Sequence, residues 1–302
     1  MHRWLSLGIL LLAGTAWAGQ SGRTGFALLR MNSGARTAAL AGAGTASAVD
    51  ASAALANPAG LPALRGSEVY LAHEEWLQGI DHDLLAVAIV GRNSAWALSL
   101  AHLAVGDIEL RTMPSTEPLA SVSAHEVVLG LSHARQVHER LRLGITAKYL
   151  YDKIYLDTAG GLAVDVGALY ETGWYGLTCG AAVRNLGATG RLRDERVALP
   201  YQVQAGLSRQ VDLPALQSKL LVVADVLFER GESAKLLLAM EGLLRDIVAV
   251  RLGYAAGYDS RGLSFGIGLA SGRYRLDYAY TPFENDLGNA QQVSLSIGLS
   301  KR

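Results

Sequence analysis

Arg140-Leu141-Arg142-Leu143-Gly144-Ile145-Thr146-Ala147-Lys148-Tyr149-Leu150-Tyr151 is the stretch whose reading decides the fold. Leu141, Leu143, Ile145, Ala147, Tyr149 and Tyr151 share one parity. Arg140, Arg142, Gly144, Thr146, Lys148 and Leu150 share the other. A period of two over twelve residues means a β-strand, because a helix would repeat its apolar residues at i, i+3 and i+4. The same alternation recurs. In Leu162 to Tyr170, the apolar parity opposes Asp165 and Gly167. Tyr274, Leu276, Tyr278 and Tyr280 oppose Arg275, Asp277 and Ala279. Near the end, Val293, Leu295, Ile297 and Leu299 oppose Gln292, Ser294, Ser296 and Gly298.

Outward from these stretches, about fourteen such segments can be marked, an even number as bacterial outer-membrane barrels require. The pattern predicts strands over 66–76, 82–91, 94–106, 123–137, 140–153, 160–172, 174–184, 199–211, 218–229, 233–243, 246–257, 262–271, 273–283 and 290–300. Tight connections follow the second, fourth, sixth, tenth and twelfth strands. Long ones follow the third (Asp107 to Val122) and the seventh (Asn185 to Ala198), and moderate ones the fifth and thirteenth. Short turns at one end and longer loops at the other belong to a transmembrane barrel. Two connections break the rule: the one after the eighth strand is long and the one after the ninth short. A soluble sandwich would also alternate. Against it, nearly every strand here has an apolar face and an opposite face of small residues, and aromatics such as Trp76, Trp96, Tyr170 and Tyr254 stand near strand ends. Interfacial girdles explain that placement.

Composition agrees. Of 302 residues, 50% are hydrophobic and 18% charged, and the formal net charge is zero, so neither disorder nor a nucleic-acid partner is indicated. The start reads as a secretory signal peptide over 1–18, with His2 and Arg3 before an apolar core and Ala16-Trp17-Ala18 as the cleavage site. Cys179 is the single cysteine, so no internal disulfide can form. No later apolar run reaches the roughly 18–20 residues of a membrane-spanning helix. Residues 19–65 differ in character: 35–63 are mostly Ala and Gly, with few charges. The expected organisation is a signal peptide, an N-terminal plug segment at 19–65 and an all-β, fourteen-stranded antiparallel transmembrane barrel at 66–302, exported to the outer membrane and embedded in its lipid.

The inward parity collects Arg142, Lys148, Asp165, Arg184, Asp225, Glu241, Arg251, Arg275 and Asp277. A charge facing lipid at the midplane costs ~2–4 kcal/mol, so these residues are expected in the lumen. Their mixed signs suit pairing, which fills the barrel and anchors the plug, better than selection of one ion sign. Within the plug, Asn57-Pro58-Ala59-Gly60 is expected to direct the chain, because Pro fixes φ and restricts the residue before it. Gly262-Leu263-Ser264-Phe265-Gly266 matches the pattern of a nucleophile elbow, but it lies inside an alternating strand with no following helix. The seven histidines show no metal-ligand spacing. Neither an enzyme nor a cofactor is expected, and the sequence sets no oligomeric state.

Several strings, in order, carry a family resemblance: Ala38-Ala39-Leu40-Ala41-Gly42-Ala43-Gly44-Thr45-Ala46, Asp50-Ala51-Ser52-Ala53-Ala54 and Asn57-Pro58-Ala59-Gly60-Leu61, then Asp165-Val166-Gly167-Ala168-Leu169-Tyr170, Arg184-Asn185-Leu186-Gly187, Arg251-Leu252-Gly253-Tyr254 and Leu276-Asp277-Tyr278-Ala279. Together they resemble PorV/PorQ family proteins, relatives of the FadL-type outer-membrane transporters. Ala56 stands where that family usually carries an aromatic. The resemblance implies a fourteen-stranded barrel with an inward-folded N-terminal plug. It also implies one of two partner classes: secreted proteins, received and passed to the cell surface in a type IX-like system, or hydrophobic small molecules, admitted passively. A third reading, from the barrel alone, is a scaffold that conducts nothing. The loops, with Glu109, Arg111, Met113 and Glu117 in the first and Arg191, Arg193, Asp194, Glu195 and Arg196 in the second, are the expected contact regions.

Overall fold

The computed structural model describes residues 24–48, 50–111, 113, 117–192 and 195–299. The signal-peptide residues and Arg193 and Asp194 lie outside this set. Strands follow in chain order: β1 (Glu68–Glu75), β2 (Ile80–Val90), β3 (Ser94–Leu110), β4 (Ala120–His138), β5 (Leu141–Ile154), β6 (Asp157–Glu171), β7 (Leu177–Thr189), β8 (Arg191–Leu192), β9 (Glu195–Arg196), β10 (Gln202–Leu213), β11 (Ser218–Glu229), β12 (Lys235–Leu244), β13 (Val248–Ala256), β14 (Leu263–Ser271), β15 (Tyr274–Pro282) and β16 (Asn289–Gly298). All but β8 and β9 form one closed antiparallel barrel of fourteen strands. It closes where β1 pairs with β16, Glu68 opposite Gly298 and Glu75 opposite Gln291. A bilayer core offers no water to hydrogen-bond a free strand edge, and closure removes the edge.

The alternation sorts residues as the sequence requires. On β5, Gly144, Thr146, Lys148 and Leu150 turn inward and are buried, while Leu143, Ile145 and Tyr149 turn outward. On β16, Gln292, Ser294 and Ser296 are inside and Val293 is outside. On β14, Leu263, Phe265, Ile267 and Leu269 all present themselves to the exterior.

Tight connections at 91–93, 139–140, 172–176, 214–217, 245–247 and 272–273 share one end with the start of β1 and the end of β16. Of the two connections that broke the rule in sequence, the first obeys it here and the second stays short. The one after the eighth barrel strand shrinks to a 3-10 turn at Pro214–Leu216 plus Gln217, while the one after the ninth, 230–234, lies at the other end. Three expectations need correction. The connection after β5 is a two-residue turn, Tyr155 and Leu156, with Tyr155 at φ 56°. The loop expected from Asp107 is shorter, because β3 continues to Leu110 past a bulge that sets Asp107 at φ 52°. The loop expected from Asn185 starts later for the same reason: Asn185 sits at φ 63° and its N–H donates to Asp165 Oδ1 at 2.7 Å. A bulge reverses the parity of everything beyond it, so a strict period-two reading stops there. Glu109 is thus a strand residue opposite Ser121.

Residues 24–48 and 50–65 occupy the lumen. They form a 3-10 turn at Ala27–Arg30, α1 (Ala35–Ala39), α2 (Ala53–Ala56) and a second 3-10 turn at Pro58–Ala63. Ala35, Ala39, Leu40, Ala43, Ala51, Ala54, Ala59 and Leu61 are fully buried. α1 packs on β13 to β16, and the second 3-10 turn packs on β2 to β6. The segment enters at the long-loop end, where Gly25 N–H donates to Ala198 O at 3.2 Å, and leaves at the tight-turn end into β1.

Ile267→Arg, near the middle of β14 on the outer face, is expected to cost ~2–4 kcal/mol in urea unfolding from lipid vesicles. Leu287→Arg, in the 283–288 connection, is expected to change it by no more than ~0.5 kcal/mol.

Candidate functional site

Of the charges named on the inward parity, Lys148, Asp165, Asp225, Arg251 and Asp277 are buried, and most of the nine meet a partner. On one side of the barrel they form a chain with two residues of the luminal segment. Arg36 of α1 donates through Nε to Glu241 Oε2 at 2.8 Å and through Nη2 to Oε1 at 3.1 Å. Glu241 also receives Arg251 Nε at 2.5 Å. Arg251 Nη1 stands 2.8 Å from Asp277 Oδ1, and Asp277 Oδ2 accepts from Arg275 Nε at 2.9 Å. Arg275 reaches back to Asp50 of the luminal segment. Three cations and three anions therefore alternate from the segment, along the wall and back to the segment. Across the lumen, Lys148 Nζ lies 2.6 Å from Asp165 Oδ2 and donates to Asn185 Oδ1 at 2.9 Å. Arg142 pairs with Glu171. Asp225 accepts from the backbone N–H groups of Gly44 (3.0 Å) and Thr45 (2.9 Å), and from Gln204 Nε2 at 2.8 Å. Arg184 donates to Gln204 Oε1 at 2.7 Å.

Asn57 pins the turn that follows it. Its Nδ2 donates to Thr45 O at 2.8 Å and to Ala168 O on β6 at 3.2 Å, while its Oδ1 accepts from Ala59 N at 3.2 Å. Pro58 then opens the 3-10 turn, with its fixed φ and without an N–H to satisfy. The wall is glycine where this corner touches it. A Cβ on Gly144 would lie 2.5 Å from Ala59 N, and one on Gly167 would lie 2.0 Å from Asn57 Oδ1. At the segment's entry, Glu126 on β4 accepts from the N–H groups of Ala27 (3.0 Å) and Leu28 (2.8 Å).

Of the cavities that flank the segment, two carry arginines and carboxylates in their linings. One of about 50 Å³ faces the long-loop end and is lined by Arg30, Arg184, Glu229, Tyr258 and Arg261 among others. The other, about 180 Å³, opens at the tight-turn end beside Arg65, Glu68, Leu243, Asp246 and Ile247. Arg36 is the one residue that borders both.

Comparison with known proteins places this architecture. The family profile described as "Type IX secretion system protein PorV" matches residues 19–177. The chain belongs to the PorV family. The matched stretch runs from the luminal segment through the first six barrel strands to the first residue of β7. No curated protein sequence matches. Among solved structures, PorV-family architecture is shared with the CymD monoaromatic hydrocarbon channel: TM-score 0.60 and 14% identity, over 90% of this chain and 97% of that one. The Pseudomonas putida toluene transporter TodX gives 0.59 and 12%, over 88% and 96%. A Pseudomonas aeruginosa FadL homologue gives 0.57 and 14%, over 87% and 97%. These likenesses carry the fold, and with the family they make this PorV-family chain an outer-membrane barrel.

Sequence reading missed the partners that the wall charges find. Arg36 and Asp50 are the only charged residues between 35 and 63, and that isolation in an Ala/Gly-rich stretch was the available sign. It also missed a row of outward side chains on β1 to β4: His73 Nδ1 lies 2.8 Å from Asp83 Oδ1, and His102 Nε2 lies 3.3 Å from His125 Nδ1. Among the described residues, no group of such side chains is placed to hold a metal ion. Ser264, in the G-x-S-x-G string, is buried on β14 with its hydroxyl 3.2 Å from that of Thr281.

Arg36→Ala and Glu241→Ala are expected to couple by ~0.5–3 kcal/mol in a double-mutant cycle on urea unfolding. Additive effects would mean that the contact carries no energy. Gly167→Ala is expected to cost ~1–3 kcal/mol through overpacking against Asn57, with faster hydrogen exchange at Ala59 as its local readout.

Proposed function

We propose that this chain serves protein secretion at the outer membrane, receiving an exported polypeptide at its long-loop end and assisting its delivery to the surface. The match to the type IX secretion profile over residues 19–177 carries this reading. The lumen supports it. The interior is occupied by a tied segment, and the flanking cavities of about 50 and 180 Å³ have charged linings. A barrel so filled acts through its rim. The rim offers 111–119 and the 190–201 connection with its β8–β9 hairpin, held on a rigid wall. The N-terminal residues 1–18 act, on this reading, as the export signal, cleaved near Ala18, and residues 19–65 act as the plug.

A second reading, passage of hydrophobic small molecules, has the backbone likeness to hydrocarbon channels behind it. It requires an apolar route past the luminal segment, and both larger cavities beside that segment carry arginines and carboxylates in their linings.

The detergent-purified chain is expected to retain a secreted polypeptide from the organism's exported fraction. Replacing 111–119 with a two-glycine turn is expected to weaken retention at least tenfold, ~1.4 kcal/mol, with the barrel still folded by its heat-dependent gel mobility. Retention unaffected by loss of the loop, or no retained polypeptide at all, would overturn the proposal. A hydrophobic compound found in the purified lumen by mass spectrometry would favour the second reading.

A further inference from the structure

The long-loop-side cavity is bordered by two guanidinium groups that form no ion pair among the described residues. Arg184 stands at the β7 bulge. Its Nη2 has Gln204 Oε1 as acceptor, whereas its Nε is shut off from solvent with no acceptor at all. Arg261, in the connection between β13 and β14, lays its guanidinium over the Tyr258 ring, 4.0 Å from the centroid. Among the described residues, neither arginine forms an ion pair. Both line the same cavity, and Arg30, paired at 4.0 Å with Glu232, stands beside them.

The nearby carboxylates are already engaged. Glu229 pairs with Lys235 and accepts from Gln202 Nε2 at 2.7 Å. Asp50 pairs with Arg275. Asp225 takes two backbone N–H groups and Gln204. Gln204 is the revealing neighbour: its amide gives Nε2 to Asp225 and to Gly42 O at 3.0 Å, and only its carbonyl to Arg184. The position facing Arg184 is thus filled by a neutral acceptor, and the cation's charge is left for something else. A guanidinium withdrawn from water needs an anion and hydrogen-bond acceptors to be tolerated. The cavity, at about 50 Å³, has room for roughly three to five water positions, the size of one small oxyanion rather than of an acyl chain.

We propose that this cavity is a binding site for a small oxyanion, a carboxylate or a phosphate group, held between Arg184 and Arg261. The planar guanidinium fork presents two parallel N–H groups that match a pair of oxygens and do not match a halide. The inference is independent of the secretion reading: an oxyanion can occupy the cavity whether or not the rim receives a polypeptide.

The test uses the full-length barrel in detergent and titrates sodium phosphate, sodium acetate and sodium chloride at matched ionic strength, read by calorimetry and by thermal stability. The expected result is saturable binding of phosphate or acetate over chloride, weakened at least tenfold by Arg184→Gln and by Arg261→Gln. Arg273→Gln, at the tight-turn end, leaves it unchanged. Acetate binding without phosphate identifies a carboxylate site, and the reverse identifies a phosphate site. If Arg184→Gln does not fold, Arg261→Gln decides, since its side chain lies in a connection and not in the wall. Identical curves for the three salts, or unaltered binding in the foldable variants, would overturn the site.

Discussion

In the hydrocarbon layer a strand has no hydrogen-bonding partner except another strand, so the wall has to continue until it meets itself. Here it meets at β1 and β16 after fourteen strands. Two consequences follow. Each residue is committed by parity to lipid or to the interior, and the interior of so large a ring is wider than its own side chains fill. The inward parity, rich in Gly, Ala, Ser and Thr, widens it further. The chain resolves the deficit with its own N-terminal segment, whose alanines let backbone lie close against backbone.

That segment is seated by charge as well as by shape. Arg36 and Asp50 stand at the two ends of an alternating row whose middle members, Glu241, Arg251, Asp277 and Arg275, belong to the wall. Buried ion pairs contribute little net stability against apolar packing, because desolvation offsets attraction. What they contribute here is a single seat. Rotating or sliding the segment would carry Arg36 and Asp50 away from Glu241 and Arg275 and leave the segment's two charges buried without those partners. Asn57 fixes the other side, where the wall has given up side chains at Gly144 and Gly167 to admit it. The charges and the glycines thus specify the same placement from opposite sides of the lumen.

How much of this was legible in sequence depended on whether a feature was local. The alternation in Arg140 to Tyr151 and in Gln292 to Leu299 is local, and fourteen strands could be read from it. The bulges at Asp107 and Asn185 are local too, but they show as a lost pattern, and a lost pattern looks like a loop. The partners were not legible: Arg36 and Glu241 are joined by a fold, not by a spacing. The His73, Asp83, His102 and His125 row is scattered over four strands for the same reason. Asn57 could be picked out beside Pro58, yet its grip on Thr45 and Ala168 needed the wall to be in place.

The family shared with a secretion component points to the proposed role at the rim, and the lining of the lumen is in keeping with it. An apolar solute crossing the lumen on the ion-paired side would exchange an apolar environment for one set by Arg36, Glu241, Arg251, Arg275 and Asp277. An oligopeptide or folded domain need not enter at all. It can be held at the rim, where the connections at 111–119 and 190–201 stand on strands that the tied interior keeps from deforming. On the proposed reading the filled barrel serves as a platform, and the row of ion pairs seats the segment that fills it.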